Sequence, residues 1–274
     1  PVLADCTFSN NTMINVRNGG AIVNTGSAAQ PIFTACTFDS NIALQYGGAV
    51  SNEAGAAPTF RNCTFTDNTA NATAHFGGGG AMLNDAATVA LTGCAFTGNR
   101  CMGTYADAGA MRNINASVIT MEDCAFDGNY NDPAGNNPYG GAMSNVSSVL
   151  YATRCTFTNN TTGTGGAGLC SSGASQVELN ACRFSNNASV SGAGIMNYGQ
   201  LTASNCIFDG NTSNAVYSAT AGTVSLINCT LAKNAYGVAV YKAAITLTNC
   251  ILWNTGTEIT VWEEATATVT NCCV

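Results

Sequence analysis

Charge is scarce in this 274-residue sequence. It contains 8 Lys and Arg, 15 Asp and Glu and one His, so charged residues make up 8% of the chain, where roughly 25% is usual. Binding to nucleic acid needs Lys and Arg to displace counterions, and a net charge of -7 with so few cations excludes it. Disorder is excluded too, because 46% of the residues are hydrophobic and the net charge is small for this length.

Strong helix formers and long apolar runs are also scarce. With few Glu, Lys and Arg, the surface must consist of Asn, Thr, Ser and Gly, which favour strands and turns over helices. No run of 18 apolar residues occurs, so no membrane-spanning helix is predicted. The composition predicts an all-β protein.

Cysteine, by contrast, is abundant, and eleven of the 14 cysteines recur every 21 to 31 residues. These are Cys6, Cys36, Cys63, Cys94, Cys124, Cys155, Cys182, Cys206, Cys229, Cys250 and Cys272. The second residue after each of the first ten is apolar, namely Phe8, Phe38, Phe65, Phe96, Phe126, Phe157, Phe184, Phe208, Leu231 and Leu252. The fifth is Asn11, Asn41, Asn68, Asn99, Asn129, Asn160, Asn187, Asn211 or Asn234, and it fails only at Thr255. Such regularity indicates an internal repeat.

A second block precedes several of the cysteines and consists of Gly-Gly-Ala, an apolar residue, a variable residue and Asn. It spans Gly19–Asn24, Gly47–Asn52, Gly79–Asn84, Ala108–Asn113 (with Ala for the first Gly) and Gly140–Asn145. A repeat of this length that varies by whole insertions is typical of a solenoid, whose turns stack about 4.8 Å apart. The sequence predicts one solenoid domain over 1–274 with about ten coils, rich in loops over 1–200 and short over 201–274.

Each coil is predicted to contain a short strand, a corner, a short strand ending at Phe, a turn at Asn, a variable loop, a Gly-Gly-Ala strand and a second Asn turn. Cys and Phe lie two apart and share a strand face, so both columns point inward. Cys is a small buried hydrophobe and suits a slot too narrow for Leu. Asn is expected to bond its equivalents in adjacent coils and to adopt the left-handed backbone of the turn.

The F-x-x-N and G-G-A-[ILVM] motifs resemble the repeats of chlamydial polymorphic outer-membrane proteins and related β-helix passengers of secreted proteins. F-x-x-N begins at Phe8, Phe38, Phe65, Phe96, Phe126, Phe157, Phe184 and Phe208. The resemblance covers nearly the whole chain and implies a right-handed parallel β-helix. In that family the β-helix is an exported display rod used in adhesion or surface coating, so the resemblance implies an extracellular or cell-surface location.

Catalytic residues are weakly indicated. The strings N-T-D, D-D, G-H-G and R-x-K, typical of polygalacturonase-like sites, do not occur. Asp39 and Asp67 lie near the same turn of adjacent coils and could form a carboxylate pair, although solvated turn residues are the favoured interpretation. The single histidine, His75, is expected in a surface loop. We therefore predict no catalysis.

Ligand and modification sites are few. Asp127, Asn129 and Asp132 offer closely spaced oxygens and form a weak calcium candidate, with a plain polar turn as the favoured alternative; no other cofactor is predicted. Cys101, Cys170 and Cys273 fall outside the column and are predicted to be exposed or bridging thiols. Asn71, Asn115, Asn145 and Asn211 begin glycosylation sequons, most of them expected by chance.

The function predicted from the sequence is that of an extracellular or cell-surface structural and adhesive module, with a surface protein or glycan as partner. A carbohydrate-binding or polysaccharide-degrading β-helix stays open as an alternative. So does a filament protomer, because neither terminus carries a capping helix and open strand edges recruit other strands. The Cys272 coil of one copy would then pair with the Cys6 coil of the next. The simpler alternative is that the sequence is a segment of a longer β-helix.

Overall fold

A computed structural model describes residues 1–13, 18–71, 77–103, 106–132 and 139–274. Within these ranges the regular structure consists of short parallel strands, and no helix occurs. The first sheet has eleven strands in chain order: Val2–Ala4, Ile32–Thr34, Thr59–Arg61, Thr88–Thr92, Val118–Glu122, Val149–Thr153, Gln176–Asn180, Gln200–Ser204, Thr223–Ile227, Ala244–Thr248 and Thr266–Thr270.

The second sheet follows the first in every coil and has ten strands: Thr7–Ser9, Thr37–Asp39, Thr64–Thr66, Ala95–Thr97, Ala125–Asp127, Thr156–Thr158, Arg183–Ser185, Ile207–Asp209, Thr230–Ala232 and Ile251–Trp253. A third sheet of five shorter strands comprises Thr12–Met13, Ile42–Ala43, Thr69–Asn71, Arg100–Met102 and Tyr130–Asn131. The pair Gly77–Gly78 and Ala106–Asp107 lies beyond it.

The fourth sheet closes each coil and again has ten strands: Ile22–Thr25, Val50–Glu53, Met82–Asp85, Met111–Ile114, Met143–Val146, Leu169–Ser172, Ile195–Asn197, Asn214–Ala219, Tyr236–Tyr241 and Ile259–Trp262. Each strand pairs in parallel with its equivalent one coil away. The predicted all-β parallel solenoid is confirmed, and three of its sheets contain ten or eleven strands in the described ranges.

The backbone at the corners differs in detail from the predicted path of the chain. The left-handed residue stands directly before each column Cys, as at Ala35 (φ 51°), and directly before the column Asn, as at Asp67 (φ 51°). The Asn itself is therefore not the left-handed residue. The second strand continues one residue past Phe, which sits at its centre, as in Thr64–Thr66. The third sheet was not predicted, because two or three residues carry no alternating pattern.

The Gly-Gly-Ala block forms a corner and not a strand. Its first glycine has a left-handed backbone, as at Gly79 (φ 66°), and the strand begins only after the Ala, at Met82. A Cβ on the second glycine, Gly48, would lie 2.0 Å from the carbonyl oxygen of Gly80 in the next coil. Only glycine permits this approach.

Side chains in the core form continuous columns because the strands are in register. The phenylalanine rings stack nearly parallel, with centroids 4.5 to 5.1 Å apart from Phe8 to Phe208. Leu231 and Leu252 continue the column. Phe33 and Phe60 stack beside it and meet Phe38 edge to face. The coil interior is thus filled by apolar side chains of one register.

A column of buried asparagines runs beside the second sheet. Asn160 donates from its backbone and its side-chain amide to Oδ1 of Asn187, each at 3.0 Å, and from the same amide to the carbonyl of Phe126. Its own Oδ1 accepts from Asn129 in the same way. Each amide is therefore bonded to the coil before and the coil after.

The Asn column does not fail at Thr255 as predicted. Asn254, one residue earlier, accepts from Asn234 at 2.7 Å and takes the position in register. Its backbone and side-chain N–H groups donate to the two carboxylate oxygens of Glu258 at 2.7 and 2.5 Å. Glu258 thus occupies the acceptor position that a further asparagine would take.

The second asparagine of each repeat is also buried, in the fourth sheet, and forms a ladder where a turn was predicted. The amides of Asn24, Asn52, Asn84 and Asn113 each donate to the next at 2.8 to 3.3 Å, ending on Asn145. Within a strand the side chain is fixed in the interior, so the bonds repeat from coil to coil.

The cysteine column lies inside the corner between the first two sheets. Each thiol donates to the carbonyl oxygen two residues before it, as in Cys63 to Arg61 at 3.4 Å and Cys155 to Thr153 at 3.4 Å. A thiol is a weak donor small enough for this space. Cysteine therefore both fills the slot and bonds a corner carbonyl.

All fourteen thiols are free, and the prediction for those outside the column is only partly right. Cys273 is exposed, but Cys101 and Cys170 are buried. Burial raises the pKa of the Cys101 thiol to about 12. Cys101 packs with Ala70 and Ala106 in a small cluster apart from the main core, and no periodic pattern indicates this burial.

The Phe column predicts a large effect for Phe126→Ala, which removes a ring stacked between Phe96 and Phe157. We expect the free energy of unfolding to fall by roughly 3 to 5 kcal/mol in chemical denaturation. The control is Thr120→Ala, which changes an exposed residue. Equal stability of the two variants would contradict an inward Phe stack.

The buried Asn ladder predicts that Asn160→Ala lowers the free energy of unfolding by about 1 to 3 kcal/mol, because donors on Asn129 lose their acceptor. Thermal and denaturant melts measure the change. Asn180→Ala, at an exposed asparagine of the first sheet, is the matched control. If both variants melt together, the ladder contributes nothing to stability.

The thiol environments predict a graded reaction with a thiol reagent. In the folded protein Cys273 should react quickly, the half-buried Cys6 and Cys272 more slowly, and the eleven buried thiols only on unfolding. The unfolded, unreduced protein should titrate as fourteen thiols. A lower number would reveal disulfides in the column.

Candidate functional site

The outer face of the first sheet carries a shallow groove over five adjacent strands. Leu179, Leu201 and Leu247 point into the core, so alternate residues on the same strands point outward. We define the groove by these outward residues: Val149, Tyr151, Thr153, Gln176, Glu178, Asn180, Gln200, Thr202, Ser204, Thr223, Ser225, Ile227, Ala244, Thr246 and Thr248.

The groove consists of successive depressions that share lining residues. The first, of about 280 Å³, lies among Tyr151, Glu178 and Thr202. A smaller one is bounded by Gln176, Glu178, Gln200 and Thr202. A third, also of about 280 Å³, follows from Gln200 to Thr246. Because Glu178, Gln200 and Thr202 recur in neighbouring depressions, the groove runs from coil to coil along the solenoid.

Register sets the chemistry of the groove floor. Tyr151 pairs with Glu178, which pairs with Thr202, and Ser225 and Thr246 continue the row. Tyr151 is 41% exposed, the one aromatic side chain of the groove. One flanking row begins with Val149 and continues with Gln176 and Gln200, and the other begins with Thr153 and continues with Asn180 and Ser204. Hydroxyl and amide groups therefore dominate the surface.

One rim of the groove is an exposed row of asparagine amides. Asn205 donates to Oδ1 of Asn180 at 3.0 Å, Asn228 to Asn205 at 3.3 Å and Asn249 to Asn228 at 3.2 Å. Three of these residues stand directly before column cysteines, with φ between 54° and 57°. The sequence did not predict this rim, because Asn is common at such corners and its presence there indicates only a turn.

Little charge reaches the groove. Glu178 is the one ionisable carboxylate among its residues, and no Lys or Arg belongs to it. Arg154, next to the groove residue Thr153, is engaged by Glu122 and by Asp123, with Nε to Oδ1 at 2.8 Å. The Arg154 guanidinium lowers the pKa of Asp123. The electrostatic character of the groove is therefore neutral to acidic.

A second polar group lies on the outer face of the fourth sheet. Arg112 Nε is 3.1 Å from Asp107 Oδ2, and its guanidinium lies 5.5 Å from the centre of the Tyr46 ring. Burial raises the pKa of Asp107, while Arg112 and Ser144 oppose the rise. These contacts tie the short strand Ala106–Asp107 to the fourth sheet.

The structure does not bring the calcium candidates together. Asn129 is buried in the Asn ladder, where its oxygen accepts from Asn99. Asp127 faces outward and accepts from Thr158 and Asn159. Asp132 follows a strand of the third sheet. Three residues that the sequence predicts in one turn thus lie on different faces of the coil. Among the described residues no group of three His, Cys, Asp or Glu side chains could hold a metal ion.

The remaining candidates are also separated. Asp39 pairs in register with Thr66 and not with Asp67, so the two carboxylates belong to different positions of the corner. His75 lies outside the described residues. Of the sequon asparagines, Asn145 and Asn211 are buried in ladders, whereas Asn115 is exposed. Burial leaves no room for a glycan at the first two.

The similarity to solved structures is low. No described helix has the length and apolarity to cross a membrane. No curated protein matches the sequence. Among solved structures, a mutant of the periplasmic alginate epimerase AlgG is 10% identical over 99% of this chain and 78% of its own, with a TM-score of 0.47. Tailspike protein 3 of bacteriophage CBA120 is 10% identical over 97% of this chain and 51% of its own, with a TM-score of 0.42.

The sequence also matches a protein family, described as "Right handed beta helix region". The match covers residues 3–163 and again 134–274, which together take in nearly the whole chain. This agrees with parallel sheets that each add one strand per coil. The chain belongs to the right-handed β-helix family.

Proposed function

We propose that the chain is an extracellular or cell-surface structural and adhesive module that holds its target in the groove and does not alter it chemically. The observation that carries the proposal is the groove itself, a run of depressions over five strands lined by exposed hydroxyl, amide and phenol groups. Surface depressions with convergent polar groups are the default location for ligands.

Rigidity supports a binding role. The inward residues of the groove strands, such as Leu179 and Leu201, are nearly fully buried. The outward residues are consequently held about 4.8 Å apart between coils and about 7 Å apart along a strand. A surface fixed in this way loses little conformational entropy on binding.

The charge of the groove supports binding without catalysis. Hydrolysis of a glycoside commonly uses two carboxyl groups flanking the bond. The groove contains one, Glu178, and neither Asp39 nor Asp67 belongs to its strands. The extracellular location is supported by the resemblance of the F-x-x-N and Gly-Gly-Ala repeats to those of exported surface rods. End-to-end stacking of copies stays a prediction.

Tyr151→Ala tests the proposal, because large aromatic side chains at a contact surface commonly contribute strongly to affinity, and Tyr151 is the one aromatic residue of the groove. Labelled protein is added to a panel of intact bacterial and eukaryotic cells, and bound protein is measured by flow cytometry. We expect Tyr151→Ala to weaken binding about tenfold or more. Tyr236→Ala, at a tyrosine of the fourth sheet that is 49% exposed, is the control.

Equal binding by wild type and both variants would refute adhesion through the groove. In parallel, polygalacturonate and neutral glycans incubated with the protein should yield no reducing or unsaturated ends. Product formation that Glu178→Gln abolishes would overturn the non-catalytic part of the proposal.

A further inference from the structure

We infer that one part of the first sheet is an ice-binding surface, a function that goes beyond the proposed one. It covers the last four strands of that sheet, Gln200–Ser204, Thr223–Ile227, Ala244–Thr248 and Thr266–Thr270. Three of these strands also line the groove, and the fourth lies beyond it. We call the outward side chains of these four strands the hydroxyl face.

The hydroxyl face consists almost wholly of threonine and serine. Nine of its twelve outward residues are Thr or Ser, the others are a Gln, an Ile and an Ala, and none carries a charge. Earlier strands of the same sheet differ, because Arg61, Glu122 and Glu178 point outward from them. A charged group resists the loss of its hydration shell, so a surface without charges lets the adjacent water adopt the order of ice.

The spacing of the hydroxyl face is close to that of crystalline water. Register pairs Thr202 with Ser225 and Thr246 with Thr268, so equivalent residues lie about 4.8 Å apart between coils. Alternate residues of one strand lie about 6.7 Å apart. On a prism face of hexagonal ice the oxygen atoms repeat at about 4.5 Å in one direction and about 7.4 Å in the other, so both sheet spacings agree within about a tenth. Across so small an area the accumulated mismatch stays near 1 to 1.5 Å, about half the length of a hydrogen bond.

The hydroxyls of this face are available to water. Within the part of the chain that the structure describes, none of the nine side-chain hydroxyls makes a hydrogen bond to another protein group. In the second sheet, by contrast, the hydroxyls of Thr64 and Thr37 bond each other at 3.3 Å. Threonine is stiff about its first side-chain bond, so its hydroxyl and methyl groups keep fixed positions. The face therefore presents a regular array of donors and acceptors to the solvent.

The backbone beneath the hydroxyl face is held rigidly. Its neighbouring strands pair over five residues each, and Leu201, Leu226 and Leu247 anchor them in the core. Side-chain ladders such as the Phe and Asn columns favour a sheet with little twist. A crystal surface can be matched only by groups that keep their positions, since ordering them on contact costs free energy. Rigidity therefore adds to the match in spacing.

The experiment follows single ice crystals in a solution of the intact 274-residue chain, cooled in small steps below the melting temperature. We expect the protein to lower the freezing temperature below the melting temperature and to give the crystals flat facets, because bound protein blocks growth of the planes that it matches. Fluorescently labelled protein should also enter a growing ice hemisphere on its prism planes. An unrelated acidic protein at the same concentration is the negative control.

Variants connect the activity to the hydroxyl face. Thr246 lies on an inner strand of the face with its side chain exposed, so Thr246→Tyr disturbs the match without entering the core. We expect this variant, and likewise Ser225→Tyr, to lose most of the gap between freezing and melting. Thr120→Tyr, at an exposed threonine of the same sheet outside the face, is the matched control and should keep the wild-type gap. Denaturant melts show that each variant is folded.

The outcomes separate this inference from the proposed function. Wild-type protein that neither shapes ice nor lowers its freezing temperature would overturn the inference, as would equal gaps in wild type, Thr246→Tyr and Thr120→Tyr. If ice binding is absent while binding to cells requires Tyr151, the ice-binding surface is wrong and the adhesive groove stands. If ice binding requires Thr246 while binding to cells does not require Tyr151, the proposed function fails and the ice-binding surface stands.

Discussion

The hydrogen-bonded distance between parallel strands, about 4.8 Å, is the constraint on which the rest of this molecule depends. Every coil must repeat at that distance, so every inward side chain lies directly over its equivalent. A column then has to be built from residues that stack or bond with themselves. Phenylalanine rings at centroid distances of 4.5 to 5.1 Å and asparagine amides at about 3 Å meet this requirement. Cysteine meets it differently, because each thiol bonds a carbonyl of its own corner.

This constraint explains which parts of the fold the sequence could predict. Residues that face their own copies, such as Phe126 and Asn160, must recur at a fixed place in every repeat, and the recurrence reveals the solenoid. The left-handed corner was placed one residue too late, because residues as different as Ser40, Asp67 and Gly98 occupy it. A backbone requirement met by several residue types leaves no periodic signal. Asn254 was missed for a related reason. The last turn is one residue shorter, so the fifth residue after Cys250 is Thr255 and not Asn254.

The groove could not be predicted from the sequence, because its residues do not recur from repeat to repeat. Outward side chains are not enclosed by the core, so packing does not force Tyr151, Glu178 and Thr202 to be alike. They become neighbours only when the register is known. The calcium candidate fails by the same logic, because Asp127 and Asn129 are near in sequence while the alternation and the corner send one outward and the other inward. In such a protein, sequence patterns identify the interior residues, whereas surface sites are recognised only from the three-dimensional structure.

The Asn column also has a direction. From Asn11 to Asn234, every amide of the column donates to the asparagine of the coil that follows. The amide dipoles are therefore aligned head to tail, as peptide dipoles are in a helix, with their positive end toward the C-terminal coils. Glu258 lies at that end and places an anion on the last two donors. The Asn column is thus electrically polar along the solenoid axis, and the Glu258 carboxylate opposes the partial positive charge at its C-terminal end.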